Sequence, residues 1–389
     1  MPDLRTADPR TLAALEALIG FDTTSRNSNV DCMEWARAHC AAFGAVTRMD
    51  WSGDRSKVNM LASFGEGPGG VVLSGHVDVV PVDGQAWASD PFVASMREGC
   101  VYGRGACDMK GFDAVVLGHV PDYAAADLVE PVHVALTYDE ELGCLGIPHL
   151  IAAMEGWGVR PSGCIVGEPT SMRLVDAHKG GRGYRARVVG RAAHSSLTHE
   201  AVNAIEYAAV VIARIQAIGA REREKGIRVA GFDVPFTTIS TNLFQGGNGM
   251  NIVPAAAEFV FDYRYVPGFA PGSIIAELET LARKLTAEMR RTDPGAGIAF
   301  ELINGIPALA PNADSAIHRV ALGLAADATV EKVGYGTEAG FFQAAGIPSI
   351  VCGPGSIAQA HKADEFVALD QLAACDGFID GVVRHLTRH

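Results

Sequence analysis

Short apolar runs of strand length recur along this chain and alternate with stretches that have helical spacing. The apolar runs are "VVLSG" (71–75), "VHVALTY" (132–138), "GCIVG" (163–167) and "PSIVCG" (348–353). Helical spacing is found in "DMKGFDAVVLGHV" and "EAGFFQAAG". The alternation predicts a doubly wound α/β domain, in which ligands bind beyond the carboxyl ends of the strands.

The middle of the chain has a different order of elements. Its pattern predicts a strand at 183–190, a helix at 199–218, strands at 237–244 and 257–265, a helix at 273–291 and a strand at 298–303. This β-α-β-β-α-β order is the ferredoxin-like pattern. We therefore predict that residues 178–305 form a lid or dimerisation domain, inserted between two parts, 1–177 and 306–389, of a larger catalytic domain built on a mixed sheet.

Composition narrows the class of protein. The chain has 389 residues, 48% of them hydrophobic, and 32 Lys plus Arg against 45 Asp plus Glu give a net charge of -13. An acidic chain without basic runs is a poor partner for nucleic acid or anionic membranes. The first residues lack the apolar core of a signal peptide and no segment approaches about 18 apolar residues, so we expect a cytoplasmic protein. The eight cysteines form no C-x-x-C pair, which favours buried thiols over disulfides or a thiolate metal site.

A glycine-rich stretch, "GEGPGG", resembles a dinucleotide-binding loop. Gly65, Gly67 and Gly70 satisfy G-x-G-x-x-G, but Pro68 interrupts the stretch and a predicted strand follows it. A dinucleotide-binding loop would lead into a helix. We predict a hairpin turn at this point.

Side chains able to bind a metal follow the predicted strands. One such histidine or one pair of glutamates is usually a hydrogen-bonded histidine or a solvated turn, but so many carboxylates at neighbouring strand ends would repel one another without a cation. Imidazole and carboxylate donors suit zinc, cobalt or manganese, and one carboxylate can bridge two ions. The candidates are His76, Asp78, Asp108, Glu140, Glu141, Glu168 and His361.

The motifs that carry these residues resemble a known family. "SGHVDVVP", "GRGACDMKG", "DEELG", "GEPT" and "AHKADEF" stand in the order and approximate spacing found in the co-catalytic metallopeptidases, which include aminoacylases, succinyl-diaminopimelate desuccinylase and glutamate carboxypeptidases. The resemblance covers nearly the whole chain. It implies two divalent ions, zinc first and cobalt as a substitute, and a cis peptide bond between Asp108 and Met109. It implies that His76, Asp108 and Glu168 bind one ion, and that Asp108, Glu141 and His361 bind the other.

The same resemblance implies roles in amide hydrolysis. Glu140 would be the general base that takes a proton from water and returns it to the departing amine, and Asp78 would orient His76. In the inserted segment, His194 would stabilise the oxyanion, typically across a homodimer. A surface histidine is the alternative interpretation of His194.

Residues that would bind the substrate follow from the resemblance as well. Arg264, with Asn251 beside it, would hold the α-carboxylate by bidentate hydrogen bonds. A solvated salt bridge between Arg264 and Asp262 is the competing interpretation. Gly336 and Thr337 would line the substrate pocket.

The substrate is an N-acyl amino acid if the resemblance holds. "CDMKGF", "IVGEPTSMRLVDAHKG", "YGTEAGFF" and "CGPGSIAQAHKADEFV" are most similar to family members that convert N-acetylornithine to ornithine and acetate in arginine biosynthesis. Thr198, His199, Glu200 and Gly181 depart from the family pattern at the pockets for the acyl group and side chain. N-acetylcitrulline, or a succinylated or formylated amino acid, therefore remains open. A non-catalytic relative that only binds small molecules is the alternative from another class, but neither a ligand nor the base is missing.

Overall fold

The computed structural model describes residues 6–325 and 329–387. The predicted domain ranges 1–177 and 306–389 therefore include residues that lie outside the described part of the chain. Two compact units form: the first comprises Met1–Ala177, Pro311–Lys332 and Thr337–His389, and the second comprises His178–Ala310 and Val333–Gly336. The function of residues 178–305 as a lid or dimerisation domain stays a prediction.

Helices are distributed over both units. In chain order they are α1 (Pro9–Ile19), α2 (Val30–Ala42), α3 (Lys110–Gly118), α4 (Val120–Ala125), α5 (Ile147–Gly156), α6 (Ala204–Lys225), α7 (Gly272–Met289), α8 (Ala316–Leu324), α9 (Ala339–Ala344) and α10 (Leu369–His385). No helix in the described ranges combines the length and the apolar character needed to cross a membrane.

The strands form one large sheet and three smaller ones within the described residues. In chain order they are β1 (Val46–Trp51), β2 (Val58–Phe64), β3 (Val71–His76), β4 (Ser95–Arg97), β5 (Cys100–Tyr102), β6 (Val132–Thr137), β7 (Gly163–Val166), β8 (Leu174–His178), β9 (Gly180–Val189), β10 (Ala193–His194), β11 (Thr238–Gly246), β12 (Ile252–Val253), β13 (Ala256–Tyr265), β14 (Gly297–Ile306), β15 (Val330–Val333), β16 (Ser349–Val351) and β17 (Phe366–Ala368).

The large sheet has the order β1-β2-β6-β3-β7-β16-β8-β15. The four apolar runs identified in the sequence are its centre, since β6, β3, β7 and β16 pair in parallel. Strands β1, β2 and β8 pair antiparallel, so the sheet is mixed. Every residue of β3, β6 and β7 is buried, as continuous apolar runs require when helices cover both faces. The predicted mixed α/β fold is confirmed.

Parallel pairing brings three strand ends to one edge of the sheet. His76 is the last residue of β3, Glu140 follows β6, and Glu168 follows β7. Asp108 lies just before α3, as the helical spacing of "DMKGFDAVVLGHV" predicted, and this buried helix packs beside β3. The strand before it, β5, differs from the prediction because it belongs to a small sheet with β4 and β17.

The hairpin predicted at "GEGPGG" is wrong. Strands β2 and β3 flank this stretch, but β6 lies between them in the sheet. The stretch is a crossover that must pass close to neighbouring backbone. A Cβ atom at Gly70, where φ is +85°, would lie 2.0 Å from the carbonyl oxygen of Pro131, so only glycine fits there.

The second unit contains the predicted β-α-β-β-α-β order. Strands β11, β13, β9 and β14 are neighbours in an antiparallel sheet, and apolar side chains of α6 and α7 pack on one face of it. The alternation along β13 buries Ala257, Phe259, Phe261, Tyr263 and Tyr265. Helix α6 begins later than the predicted residue 199, because the Asn203 side chain accepts hydrogen bonds from the first N–H groups of the helix.

Candidate metal centre

The first predicted ligand group is assembled at the carboxyl edge of the large sheet. The Nε2 atom of His76 lies 3.2 Å from Asp108 Oδ1 and 4.0 Å from Glu168 Oε1. All three residues are buried. Strands β3 and β7 hold the histidine and the glutamate, while Asp108 comes from the start of α3.

The second predicted ligand group shares Asp108 with the first. His361 Nε2 lies 3.3 Å from Asp108 Oδ2 and 3.0 Å from Glu141 Oε1. The two oxygens of Asp108 therefore face the two histidines, one each. This is the arrangement that a bridging carboxylate needs. The peptide bond between Asp108 and Met109 is cis, as the resemblance implied.

These separations fit ligands of a common cation. Zinc ligands lie about 2.0–2.2 Å from the ion, so neighbouring ligand atoms of a tetrahedral site lie about 3.3–3.6 Å apart. The potential donor atoms in each group lie within 4.8 Å of one another. The donor set of imidazole nitrogen and carboxylate oxygen suits zinc, cobalt or manganese. The residues thus fit two divalent ions.

The pKa shifts of residues in both ligand groups also favour bound cations. Burial and the neighbouring carboxylates Asp108 and Glu140 raise the pKa of Glu168, although His76 opposes the shift. Hydrogen bonds to Asp108 and Glu141 raise the pKa of His361 to about 10. Without a cation, protons on the two histidines and on the buried glutamates offset the negative charge, while the pKa of Asp108 is lowered by His361 and His76. Divalent ions would take the place of those protons.

Glu140 belongs to neither ligand group. Its Oε2 atom lies 3.9 Å from His76 Nε2, and its Oε1 atom accepts a hydrogen bond from the Cys144 thiol at 3.2 Å. Burial, together with the charges of Glu141 and Asp108, raises its pKa to about 8. A carboxylate beside two ligand groups, and outside both, is suited to proton transfer. Its role as general base stays a prediction.

Asp78 contacts His76, but through its backbone. The carbonyl oxygen of Asp78 accepts the hydrogen bond from His76 Nδ1 at 2.9 Å, whereas the nearer carboxylate oxygen is 3.7 Å away. The carboxylate instead accepts from the N–H groups of Glu140 and Glu141 and from the Ser25 hydroxyl. Asp78 therefore also fixes the turn that carries both glutamates.

Asp139, the first of the three consecutive acidic residues, contacts Lys57 rather than a residue of the ligand groups. Its carboxylate forms an ion pair with Lys57 Nζ at 2.8 Å, and its backbone is left-handed with φ of +55°. Asp139 therefore flanks the site, and we predict that it takes no part in the chemistry.

Two buried acidic residues of the site were not identified from the sequence. Glu365 accepts hydrogen bonds from the N–H groups of Cys107 and Asp108, and it pairs with the buried Arg104 at 2.6 Å. It fixes the loop that presents Asp108. The signal was available in "AHKADEF", where Glu365 lies in the same motif as His361.

Glu338 is the second of these residues. It accepts hydrogen bonds from the hydroxyls of Thr137 at 2.6 Å and Ser74 at 3.2 Å, beside the ends of β6 and β3. Burial raises its pKa to about 7. It lies in "GTEAG", directly after the residues predicted to line the pocket.

The predicted substrate residues lie mostly in the second unit. His194 in β10 pairs with Ile252 in β12, and the N–H of Ser195 donates to the Asn251 carbonyl, so His194 and Asn251 are neighbours. The His194 side chain is exposed, and its Nδ1 atom lies 2.8 Å from the Ser196 hydroxyl.

Arg264 lies on the exposed face of β13, as the alternation predicted. Its Nε atom is 3.3 Å from Asp262 Oδ2, so the competing salt bridge is formed in this structure. Gly336 belongs to the second unit, and a Cβ there would come within 2.9 Å of Ile306. Thr337 is fully buried in the first unit, where its hydroxyl accepts from the N–H of Ala339. Substrate contacts of these residues stay predictions.

Known proteins resemble this chain in sequence and in fold. Residues 72–385 match the peptidase family M20/M25/M40. An acetylornithine deacetylase from Erwinia tasmaniensis is 36% identical over 337 residues, which is 87% of this chain and 85% of that protein.

Solved structures show the same fold at low sequence identity. A tripeptidase from Staphylococcus aureus has a TM-score of 0.76 at 18% identity, covering 99% of this chain and 100% of its own. A metallo-carboxypeptidase of the M20 family from Sulfolobus solfataricus has a TM-score of 0.74 at 18% identity, covering 97% and 99%. A dinuclear metal-binding peptidase of that family from Bacillus subtilis has a TM-score of 0.65 at 16% identity, covering 97% and 98%.

Proposed function

Because the chain belongs to the peptidase family M20/M25/M40 and is a hydrolase, we propose that it cleaves the amide bond of N-acetylornithine, giving ornithine and acetate for arginine biosynthesis. The observation that carries this proposal is the position of Glu140, a carboxylate outside the ligand groups that lies 3.9 Å from His76. The substrate rests on the similarity to a relative named acetylornithine deacetylase.

Two divalent ions, zinc first and cobalt as a substitute, complete the site in this proposal. His76, Asp108 and Glu168 hold one ion, while Asp108, Glu141 and His361 hold the other; the short distances within each group support this assignment. The ions would supply Lewis acidity, polarising the amide carbonyl and lowering the pKa of a water molecule.

Glu140 carries the proton in this scheme. It takes a proton from water as the water attacks the acyl carbonyl, and it gives that proton to the amine nitrogen as the C–N bond breaks. Asp78 holds the backbone N–H groups of Glu140 and Glu141 and so keeps the base and its neighbouring ligand in register.

The second unit recognises the substrate in this proposal. Arg264 exchanges Asp262 for the substrate α-carboxylate, and Asn251 assists it; the exposure of Arg264 supports this exchange. His194 stabilises the oxyanion in the partner subunit of a cytoplasmic homodimer. Gly336 and Thr337 border the pocket.

Complementation between inactive variants tests the shared site. If His194 serves the partner subunit, mixed dimers of His194→Ala and Glu140→Gln chains contain one intact site and regain up to about half of the wild-type activity. Absence of rescue after demonstrated subunit exchange would show that His194 acts in its own subunit or not at all.

A second candidate substrate class follows from local departures in sequence. Residues 198–200, which differ from the family pattern, form an exposed 3-10 helix, and Gly181 lies beside the Arg264 guanidinium. A different pocket for the acyl group or side chain favours N-acetylcitrulline or a succinylated or formylated amino acid.

One experiment tests the chemistry and the substrate together. Purified protein is assayed against these N-acyl amino acids before and after chelation, with readdition of Zn²⁺ or Co²⁺ as the control. We expect activity to disappear on chelation and to return with metal, with N-acetylornithine giving the highest kcat/KM. Full activity after verified metal removal contradicts the dimetal proposal, and absence of hydrolysis across the panel favours a binding protein.

A further inference from the structure

A second cluster of histidine and carboxylate side chains lies within the first unit, and none of its members belongs to the site described above. His119 joins α3 to α4, and Asp122 lies one turn later in α4. Asp376 and Asp380 are four residues apart in α10, so they share one face of that helix. The cluster therefore connects the two short helices after Asp108 to the C-terminal helix.

The His119 ring is buried and fixed from one side. It is 2% exposed, and its Nε2 atom lies 3.2 Å from Asp376 Oδ1. Asp376 is itself held by the Thr11 hydroxyl at 2.6 Å and by the N–H of Asp8 at 2.8 Å. A histidine that binds a metal through one nitrogen commonly donates its other N–H to a carboxylate in this way.

The other ring nitrogen faces two carboxylates. His119 Nδ1 lies 3.0 Å from Asp122 Oδ2 and 3.3 Å from Asp380 Oδ1. Despite these short separations, Nδ1 makes no hydrogen bond to any described residue, and Asp122 Oδ2 is held by the Arg10 guanidinium at 2.9 Å. When Nε2 carries the ring proton, a lone pair on Nδ1 points at two negative groups. That contact is repulsive unless a proton or a metal cation lies between them.

The surrounding charge is strongly negative. Asp8, Asp122, Asp376 and Asp380 surround His119, and Arg10 pairs with Asp8 at 2.7 Å and with Asp122 at 2.9 Å. The Arg10 guanidinium therefore offsets one negative charge. Asp122 is both a partner of Arg10 and a member of the cluster. Asp376 and Asp380 retain negative charge toward the histidine.

We propose that His119 Nδ1, Asp122 and Asp380 bind a third divalent cation of the zinc or cobalt type. One imidazole nitrogen and two carboxylate oxygens form the same donor set as each group of the candidate metal centre. Water completes the coordination on the side where the Asp380 side chain is 50% exposed. The ion holds α10 against α3 and α4, and α3 begins two residues after Asp108. Because no ligand of this ion belongs to the candidate metal centre, its role is structural rather than catalytic.

Binding of Co²⁺ to the metal-free, full-length protein tests the proposal. We expect isothermal titration and metal analysis after dialysis to give one equivalent that persists when Glu141→Gln and Glu168→Gln are introduced together to weaken the dimetal site. Adding Asp380→Asn should weaken this equivalent at least about tenfold, because one of three protein ligands is lost. The matched control is Asp370→Asn, the same exchange at an exposed position of α10.

Stability gives a second measurement that does not depend on activity. Excess Co²⁺ should raise the melting temperature of the Glu141→Gln, Glu168→Gln protein, and adding Asp380→Asn should remove that increase. The proposal is wrong if the persistent equivalent is absent, or if Asp380→Asn and Asp370→Asn leave the same affinity. In that case a protonated His119 links the carboxylates. Failure of the dimetal proposal would appear separately, as activity that survives chelation.

Discussion

The two ligand groups of the candidate metal centre share Asp108 but differ in how they are held. His76 and Glu168 are buried at the ends of two parallel strands, with 0% and 4% of their surfaces exposed. The His361 side chain is 49% exposed, and the residue has a left-handed backbone with φ of +63° in the loop before β17. One group is thus fixed by the sheet, and the other depends on a loop. We infer that the two ions bind with unequal affinity.

The largest predicted effect distinguishes Glu140, the proposed base, from the metal ligands of both groups. Glu140→Gln should lower kcat by about 10²- to 10⁴-fold while metal content stays unchanged, because the proton acceptor is lost and the ligands remain. Glu141→Gln is the matched comparison, since the same exchange one residue later should lower the occupancy of one ion. Equal metal loss in both variants would show that Glu140 is itself a ligand.

The comparison between the groups is tested by removing the exposed ligand. His361→Asn should bind one ion at concentrations where the wild-type protein binds two, because His76, Asp108 and Glu168 remain intact. Equilibrium dialysis followed by metal analysis measures this, and His149→Asn, an exposed histidine of α5, is the control. Loss of both ions together would mean that the two groups bind cooperatively and that the contrast in burial does not set their affinities.

A smaller effect is expected from Glu365, which supports the shared ligand Asp108. Glu365→Gln should lower metal affinity about 10- to 100-fold, since Glu365 holds the N–H of Asp108 without binding an ion. It should also destabilise the protein by about 3–5 kcal/mol, because Arg104 remains buried without its partner charge. Asp364→Asn, at a more exposed neighbouring position, is the control in denaturant unfolding. Wild-type affinity for both ions in Glu365→Gln would contradict this supporting role.

The smallest effect should come from Asp139. Asp139→Asn removes the ion pair with Lys57, but Lys57 Nζ still donates to the Ser25 carbonyl at 2.8 Å. Stability should fall by about 1 kcal/mol and kcat/KM should change by less than about tenfold. A loss of activity as large as that of Glu140→Gln would mean that all three acidic residues after β6 take part in the chemistry.

Much of this organisation was predictable because the sequence patterns report backbone periodicity. The four apolar runs became the parallel centre of the sheet, and parallel strands must end at one edge, so His76, Glu140 and Glu168 were expected near one another. Asp108 was expected just ahead of a helix, where it lies, but the strand before it belongs to another sheet. Its place at the start of α3 follows from the packing of that helix beside β3.

Other features depended on contacts between residues far apart in the chain. The hairpin at "GEGPGG" failed because β6, about seventy residues later in sequence than β2, pairs between the two strands. Glu365 and Arg104 are separated by 261 positions, and their ion pair has no local signature. The cluster around His119 joins residues from opposite ends of the chain for the same reason.

The sequence by itself determined the classes of element, the residue types available as ligands and the family to which the chain belongs. These are properties of periodicity and of short motifs, which neighbouring residues specify together. Only the tertiary structure decided which oxygen or nitrogen atom of a residue contacts which other residue. Asp78 uses its carbonyl for His76 and its carboxylate for the glutamate turn, and Asp139 turns away from its two neighbours. Such choices are made by packing and hydrogen bonding between distant segments, because a side chain has several possible partners until the fold selects one.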